Sequence, residues 1–194
     1  MEISTEVVKE LRDKTRVSVM QCKKALEEAG GDVAKAEVIL KKRSGAAADK
    51  KADRTLAAGA IGSYIHDGAI GSMVLLSCET DFVSKNPEFS ALAREIAMHV
   101  AATNPKYRSA EEIPPETKEA ATAVFEAEMK GTPAEMREKI MGGKLAAYFS
   151  DQVLLDQPYI KDEGKKVKDL LNEATQKFGE RVEITQFARF SARG

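Results

Sequence analysis

The sequence predicts an α+β protein. A three-helix bundle over residues 1–42 precedes a core with a small three-stranded antiparallel sheet, covered by helices and a helical hairpin. Three observations lead there. Apolar residues recur at helical spacing through the first 42 residues, interrupted by cap and glycine signals. The pattern then switches to alternation on both sides of Asp67-Gly68. Proline-initiated helical stretches fill the interval before another alternating segment near the C-terminus.

Ser4 or Thr5 caps the first helix, in which Ile3, Val7, Val8 and Leu11 fall along one face. Ser18-Val19-Met20-Gln21 has the S-x-x-Q form of a capping box. Cys22, Ala25, Leu26 and Ala29 follow at i, i+3, i+4 and i+7, and Gly30-Gly31 ends the helix by entering the left-handed region without a Cβ penalty. Asp32 caps a third helix with Val33, Ala36, Ile39 and Leu40 inward. From Arg43 to Arg54 there is no large apolar side chain, so this stretch is expected to be a tether or a loosely held helix. The chain thus divides into a domain at 1–42, a tether at 43–54 and an α+β domain at 55–194.

In the core, residues 59–66 and 69–78 flank Asp67-Gly68, a pair suited to the two positive φ angles of a type I′ hairpin turn. Gly-Ala-Ile-Gly-Ser occurs at 59–63 and again at 68–72, too short for a claim of structural repetition. Asn86-Pro87 supplies a cap and a first-turn proline for a helix with Phe89, Leu92, Ile96 and Val100 in one stripe. Pro114-Pro115 opens a helix to about Lys130; Gly131 stops it, and Thr132-Pro133-Ala134-Glu135 restarts, the pattern of a helical hairpin. Pro158 is expected to end its second arm. Asp162 is expected to open a last helix with Val167, Leu170, Leu171 and Ala174 inward, closed by Gly179. In the final strand Val182, Ile184, Ala188 and Phe190 share one face, and Gln186-Phe187 spoil the alternation.

Composition narrows the function. With 43% hydrophobic and 31% charged residues among 194, the chain has material for a core and a solvated surface. No apolar run approaches the roughly 20 residues that span a bilayer, and the N-terminus lacks the basic flank and apolar stretch of a signal peptide. A cytoplasmic protein without a membrane partner is expected. Two cysteines, Cys22 and Cys78, make neither a disulfide framework nor a four-ligand zinc site. Residues 1–54 hold 13 Lys/Arg against 10 Asp/Glu, and 55–194 hold 17 against 21. That mild asymmetry falls short of the basic footprint of a nucleic-acid binder. The two histidines, His66 and His99, have no third ligand at metal spacing; there is no phosphate loop and no nucleophile elbow. Nothing nominates an enzyme, a metal or a cofactor.

One segment is odd. Cys78-Glu79-Thr80-Asp81-Phe82-Val83-Ser84-Lys85-Asn86 joins a strand to a helix, yet places Phe82 and Val83 where a polar loop belongs. Either Phe82 folds inward as a staple for the next helix, or it is presented to a partner as a hot spot.

Thr80-Asp81-Phe82-Val83, with Cys78-Glu79 before it and Lys85-Asn86 close behind, resembles the Thr-Asp-Phe-Val signature of the bacterial elongation factor Ts family. Leu11-Arg12-Asp13-Lys14-Thr15 followed by Cys22-Lys23-Lys24-Ala25-Leu26 resembles that family's other signature, and Gly30-Gly31-Asp32 and Leu154-Leu155-Asp156-Gln157-Pro158 extend the likeness along the chain. The chain departs from the pattern at Arg16-Val17-Ser18-Val19-Met20-Gln21, where the family usually has Gly-Ala-Gly-Met-Met-Asp. It departs again at Leu75-Leu76-Ser77, usually Glu-Val-Asn. It resembles the short members, with one core unit.

The resemblance implies a guanine nucleotide exchange factor, not an enzyme. Such a factor binds elongation factor Tu in its GDP-bound and nucleotide-free forms, dislodges Mg²⁺ and promotes GDP release. It further implies that residues 1–42 are a ubiquitin-associated-like docking bundle and that short members are homodimers. By the same resemblance Thr80, Asp81, Phe82 and Val83 form the segment that disturbs the Mg²⁺ site. Phe82 would be the wedge, Asp81 would act on displaced backbone or the metal's water shell, and Thr80 and Val83 would shape the loop. Lys9, Arg12, Val19 and Met20 are candidates for docking on the partner, and Tyr64-Ile65-His66 resembles a Tyr-x-His hairpin that places His66 among them. Val19 and Met20 are equally readable as core, since one residue must staple the helix. The alternative function is an adaptor that recruits a client protein without changing its nucleotide state.

Overall fold

The computed structural model describes residues 3–15, 17–129 and 134–192. The N-terminal bundle consists of α1 (Thr5–Thr15), α2 (Val19–Glu28) and α3 (Val33–Asp49). Each start is capped as its sequence dictates. Ser4 Oγ accepts from the Val7 amide at 3.4 Å, Ser18 Oγ from Gln21 at 3.4 Å, and Asp32 Oδ1 from Lys35 at 3.0 Å. Gly30 and Gly31 take φ of +64° and +87° between α2 and α3. Leu11, Val17, Cys22, Leu26, Ala36 and Leu40 form a core of the bundle's own.

The segment expected to be a tether or a loosely held helix is helical over 43–49, the end of α3, and turns and bends over 50–54. A stretch without large apolar residues has no broad apolar face to bury. Its small side chains instead let α3 lie against a later helix, α8 (Val167–Phe178), with Ser44 fully covered. The third helix is therefore longer than expected and reaches the core.

Among the described residues the core holds five strands: β1 (Ala58–His66), β2 (Ile70–Cys78), β3 (Pro158–Tyr159), β4 (Asp162–Lys166) and β5 (Glu183–Ser191). β1, β2 and β5 form the antiparallel sheet in that order. Asp67 and Gly68 have φ of +49° and +65°, as a type I′ turn requires. The helices are α4 (Asp81–Ser84), α5 (Pro87–Thr103), α6 (Pro115–Glu128), α7 (Ala134–Ser150) and α8 (Val167–Phe178). Phe89, Ala93, Ile96, Ala97 and Val100 of α5 and Val167, Leu171 and Ala174 of α8 meet Val74, Leu76 and Ile184 of the sheet in one core. The two Gly-Ala-Ile-Gly-Ser copies are not equivalent. A Cβ on Gly62 would lie 2.1 Å from the Ala93 carbonyl carbon, so α5 touches β1 backbone there, whereas Gly71 faces open space.

α6 and α7 make the helical hairpin, with the Phe125 and Tyr148 rings edge to face at 5.8 Å. The stop at Gly131 and the restart at Thr132-Pro133 lie outside the described residues.

Three expectations need correction. The second arm ends at Ser150, not at Pro158. Asp162 opens strand β4, and α8 starts five residues later; the paired strands β3 and β4 leave no pattern in the sequence, because Asp162-Glu163-Gly164-Lys165-Lys166 shows no apolar alternation. In β5 a bulge slips the register, so that Gln186 pairs Leu75 while Ile184 pairs Leu76. Beyond it the faces exchange. Phe187 and Arg189 turn toward α5, where Arg189 Nε donates to the Ala101 carbonyl at 2.9 Å, and Ala188 and Phe190 turn outward. The broken alternation at Gln186-Phe187 was this bulge.

Candidate functional site

The odd segment becomes a sharp turn between β2 and α5. Thr80 is extended (φ −127°, ψ 157°), and Asp81-Phe82-Val83-Ser84 forms the single helical turn α4. Of the two apolar residues, Val83 is buried in the main core and Phe82 is 84% exposed. Phe82 is thus presented, not stapled inward. Asp81 is exposed beside it and pairs with Lys85 at 2.6 Å; that hydrogen bond and the lysine's charge hold its carboxyl below the usual range.

The turn is held from a distant segment. Glu180, just after α8, accepts from the amides of Glu79 (3.1 Å) and Thr80 (3.0 Å) with one carboxylate oxygen, and from the Thr80 hydroxyl (2.5 Å) with the other. Glu79 returns the bond. Its carboxylate accepts from the Arg181 amide at 2.6 Å and from the Arg54 guanidinium at 3.2 Å, and these donors lower its pKa, the Arg181 amide most. Beneath them the Cys78 thiol donates to the Thr80 carbonyl at 3.2 Å; burial, with the Glu180 charge nearby, pushes that thiol's pKa up, opposite to what a nucleophile needs.

The N-terminal candidates lie on the bundle surface. Lys9, Arg12, Val19 and Met20 are exposed, and the staple that Val19 or Met20 was equally expected to supply is Val17, buried before the Ser18 cap. Gln21, expected to complete the capping box, turns to the core instead: its Oε1 accepts from Gln176 Nε2 at 3.0 Å. Gln176 Oε1 in turn accepts from the Ser44 hydroxyl, and Lys41 pairs with Asp169 at 2.7 Å. Gln176 and Glu180 are four residues apart. The start of α2 and the Phe82 turn are therefore both moored to the C-terminal end of α8.

His66 is elsewhere. Ala58 pairs with Cys78 beside the turn, and His66 pairs with Ile70 at the other end of β1. Eight strand steps, about 26 Å, separate the two ends. His66 Nδ1 lies 3.2 Å from the Tyr64 hydroxyl, with the rings stacked. His99 is a satisfied core residue, between the Gln157 side chain (2.9 Å) and the Ile160 amide (3.4 Å). Among the described residues there is no group of three His, Cys, Asp or Glu placed to hold a metal, and no helix long and apolar enough to cross a membrane. Chemically, the turn offers a rigidly held aromatic and a flanking carboxylate. Glu180 and Gln176 carried no sequence signal, because nothing local tells that a residue after a helix stop reaches back to Thr80.

The matches to known proteins cover nearly the whole length. A model of the family Elongation factor TS matches residues 3–193. Elongation factor Ts of Thermodesulfovibrio yellowstonii is 49% identical over 191 residues, spanning 98% of this chain and 96% of the relative. That of Thermotoga petrophila is 46% identical over 191 residues, with the same coverage. That of Anaeromyxobacter dehalogenans is 46% identical over 192 residues, 97% of this chain and 88% of the relative.

Proposed function

This chain belongs to the elongation factor Ts family, and we propose that the Thr80–Val83 turn carries the family's exchange reaction by displacing Mg²⁺ from its partner. As a member, the protein is the guanine nucleotide exchange factor for elongation factor Tu, and it is not an enzyme. The adaptor alternative gives way to that assignment.

The observation that carries the proposal is the exposed Phe82 on a turn fixed by the buried Val83 and by Glu180. Phe82 enters an apolar pocket beside the partner's phosphate-binding elements, Asp81 brings a carboxylate to the metal's surroundings, and Thr80 and Val83 hold the shape. Exchange makes and breaks no covalent bond. The factor weakens GDP binding, and by linkage GDP weakens the factor equally. A thousandfold acceleration requires about 4 kcal/mol of differential binding, and burying one Phe supplies about 1.5–3 kcal/mol. A second grip is needed. Residues 1–42 supply it through Val19, Met20, Lys9 and Arg12, residues 43–54 join the bundle to the core, and His66 makes a separate contact.

The core at 55–194 also forms a homodimer. The sheet's outer face supports this. Ile61, Ile65, Met73 and Phe190 stand exposed on the side opposite α5, a contiguous apolar surface of the kind a second copy covers. The near-balanced charge supports a protein partner over nucleic acid.

The test is release of fluorescent GDP from elongation factor Tu of the same organism. Strong acceleration by the wild type, largely lost in Phe82→Ala while binding persists, is the expected result. Equal acceleration by both moves the site away from this turn.

A further inference from the structure

We propose that Glu180 is a positioning residue for nucleotide exchange: its carboxylate fixes the orientation in which the turn at Thr80 presents Phe82. This rests on the reading of Phe82 as the wedge.

A helix of one turn cannot hold itself, because its few internal bonds do not offset the cost of ordering it. Besides the Cys78 thiol, a weak donor to the Thr80 carbonyl, two anchors hold α4. Val83, buried in the core, sets the depth of the turn, but an apolar contact is non-directional and leaves rotation free. Rotation is set by the three donors that converge on Glu180, namely the Glu79 amide, the Thr80 amide and the Thr80 hydroxyl. Thr80 stands at the cap position of α4 but makes no side-chain cap bond; its hydroxyl donates to Glu180. The Glu79 carboxylate closes the clasp on the Arg181 amide from the other side. Segments 79–80 and 180–181 thus grip each other, each through the carboxylate of one and the backbone of the other.

Three donors need an acceptor-only group. An ionised carboxylate offers two oxygens and about four lone-pair sites, whereas an amide replaces one oxygen with a donor. A wedge that rotates in its seat still binds the partner, yet fails to convert that binding into displacement. Loss of the clasp therefore falls on the maximal rate of GDP release, and the half-saturating concentration of factor is spared.

The experiment measures release of fluorescent GDP from elongation factor Tu against rising factor concentration. Glu180→Gln, of nearly the same size, is expected to lower the maximal rate about tenfold while half-saturation moves less than about twofold. In a Phe82→Ala background the same change should add nothing further, because no wedge remains to be oriented. Thr80→Val should reproduce the defect, and Thr80→Ser, which keeps the hydroxyl, should restore the rate. This pair decides the matter alone if Glu180→Gln does not fold. A wild-type maximal rate in Glu180→Gln or in Thr80→Val overturns the role of Glu180. So does an equal loss in the presence and absence of Phe82. A wild type that fails to accelerate release, or Phe82→Ala as fast as wild type, overturns the wedge itself, a result separable from failure at Glu180 alone.

Discussion

Gln176 and Gln21, 155 positions apart in the chain, meet side chain to side chain at 3.0 Å. The same Gln176 also accepts from Ser44, so one residue of α8 ties down both the start of α2 and the middle of α3. Gln176→Ala removes both bonds and leaves the bundle's own core intact. The expected outcome is a several-fold higher half-saturating concentration of factor with the maximal exchange rate retained. Titration of GDP release checks it. A loss confined to the maximal rate would mean that the bundle's mooring acts on Phe82 and not on docking.

Phe82 and Val83 are neighbours with opposite tasks, and substitution should separate them. Phe82→Ala is expected to leave the urea midpoint near wild type, since the ring is 84% exposed. Val83→Ala is expected to cost about 1–3 kcal/mol, because the side chain is buried in the main core. Equilibrium denaturation of the two variants measures both.

The two sequence copies around the hairpin give a second matched pair. Gly62→Ala drives a methyl group into the Ala93 backbone and is expected to destabilise by about 3 kcal/mol, whereas Gly71→Ala meets nothing and should be nearly neutral. Thermal unfolding of both variants tests the difference.

Much of this fold was legible from the chain alone. Caps at Ser18, Asp32 and Asn86 and the Asp67-Gly68 turn are local chemistry, and local chemistry shows in a sequence. The misreadings share one physical origin. The helical stretch 43–49, the polar strand β4 and the bulge in β5 are decided by what lies across from them: α8, Pro158-Tyr159 and Leu75-Leu76 respectively. At the candidate site the segment itself was visible, since Phe82 stood where a polar loop belonged. Which of Phe82 and Val83 would turn inward was not, because helical spacing within four residues allows either. The clasp by Glu180 was invisible, as a contact across 100 residues leaves no mark on either segment.

The outer face of the sheet offers a test of assembly. Ile65 is 71% and Phe190 69% exposed, and both flank Gly71 in the register. The wild type is expected to sediment as a dimer, and placing a carboxylate on that face, as in Phe190→Glu, to yield a monomer at the same concentration. A wild type that sediments as a monomer throughout would remove the dimer.

Acidification should act through His99. The Ile160 amide donates to Nδ1, so the ring proton sits on Nε2 and is given to Gln157 Oε1. Burial lowers the folded pKa below the usual 6.5, opposed in part by the Gln157 bond. The folded state then binds fewer protons than the unfolded chain as pH falls through 6.5. The stability from this ring is complete above 6.5 and is lost as pH drops from there toward the folded value, with a slope of at most about 1.4 kcal/mol per unit. Urea midpoints between pH 7.5 and 5.5 should show the decline, and His99→Gln should flatten it.

A helix that runs without interruption from the bundle's core to its contact with Gln176 of α8 also changes what an insertion does. A slack connection tolerates extra residues with a small logarithmic loss in effective concentration. A helix counts them in angle. One residue added between Leu40, in the bundle core, and Ser44, against Gln176, turns everything before it by about 100°. Val19 and Met20 would then be turned through the same angle relative to Phe82. Three or four added residues bring them nearly back into phase, about 5 Å further out. Spacing between the two grips is therefore quantised by the helical repeat, and lengths in this stretch should be tolerated in steps of a turn.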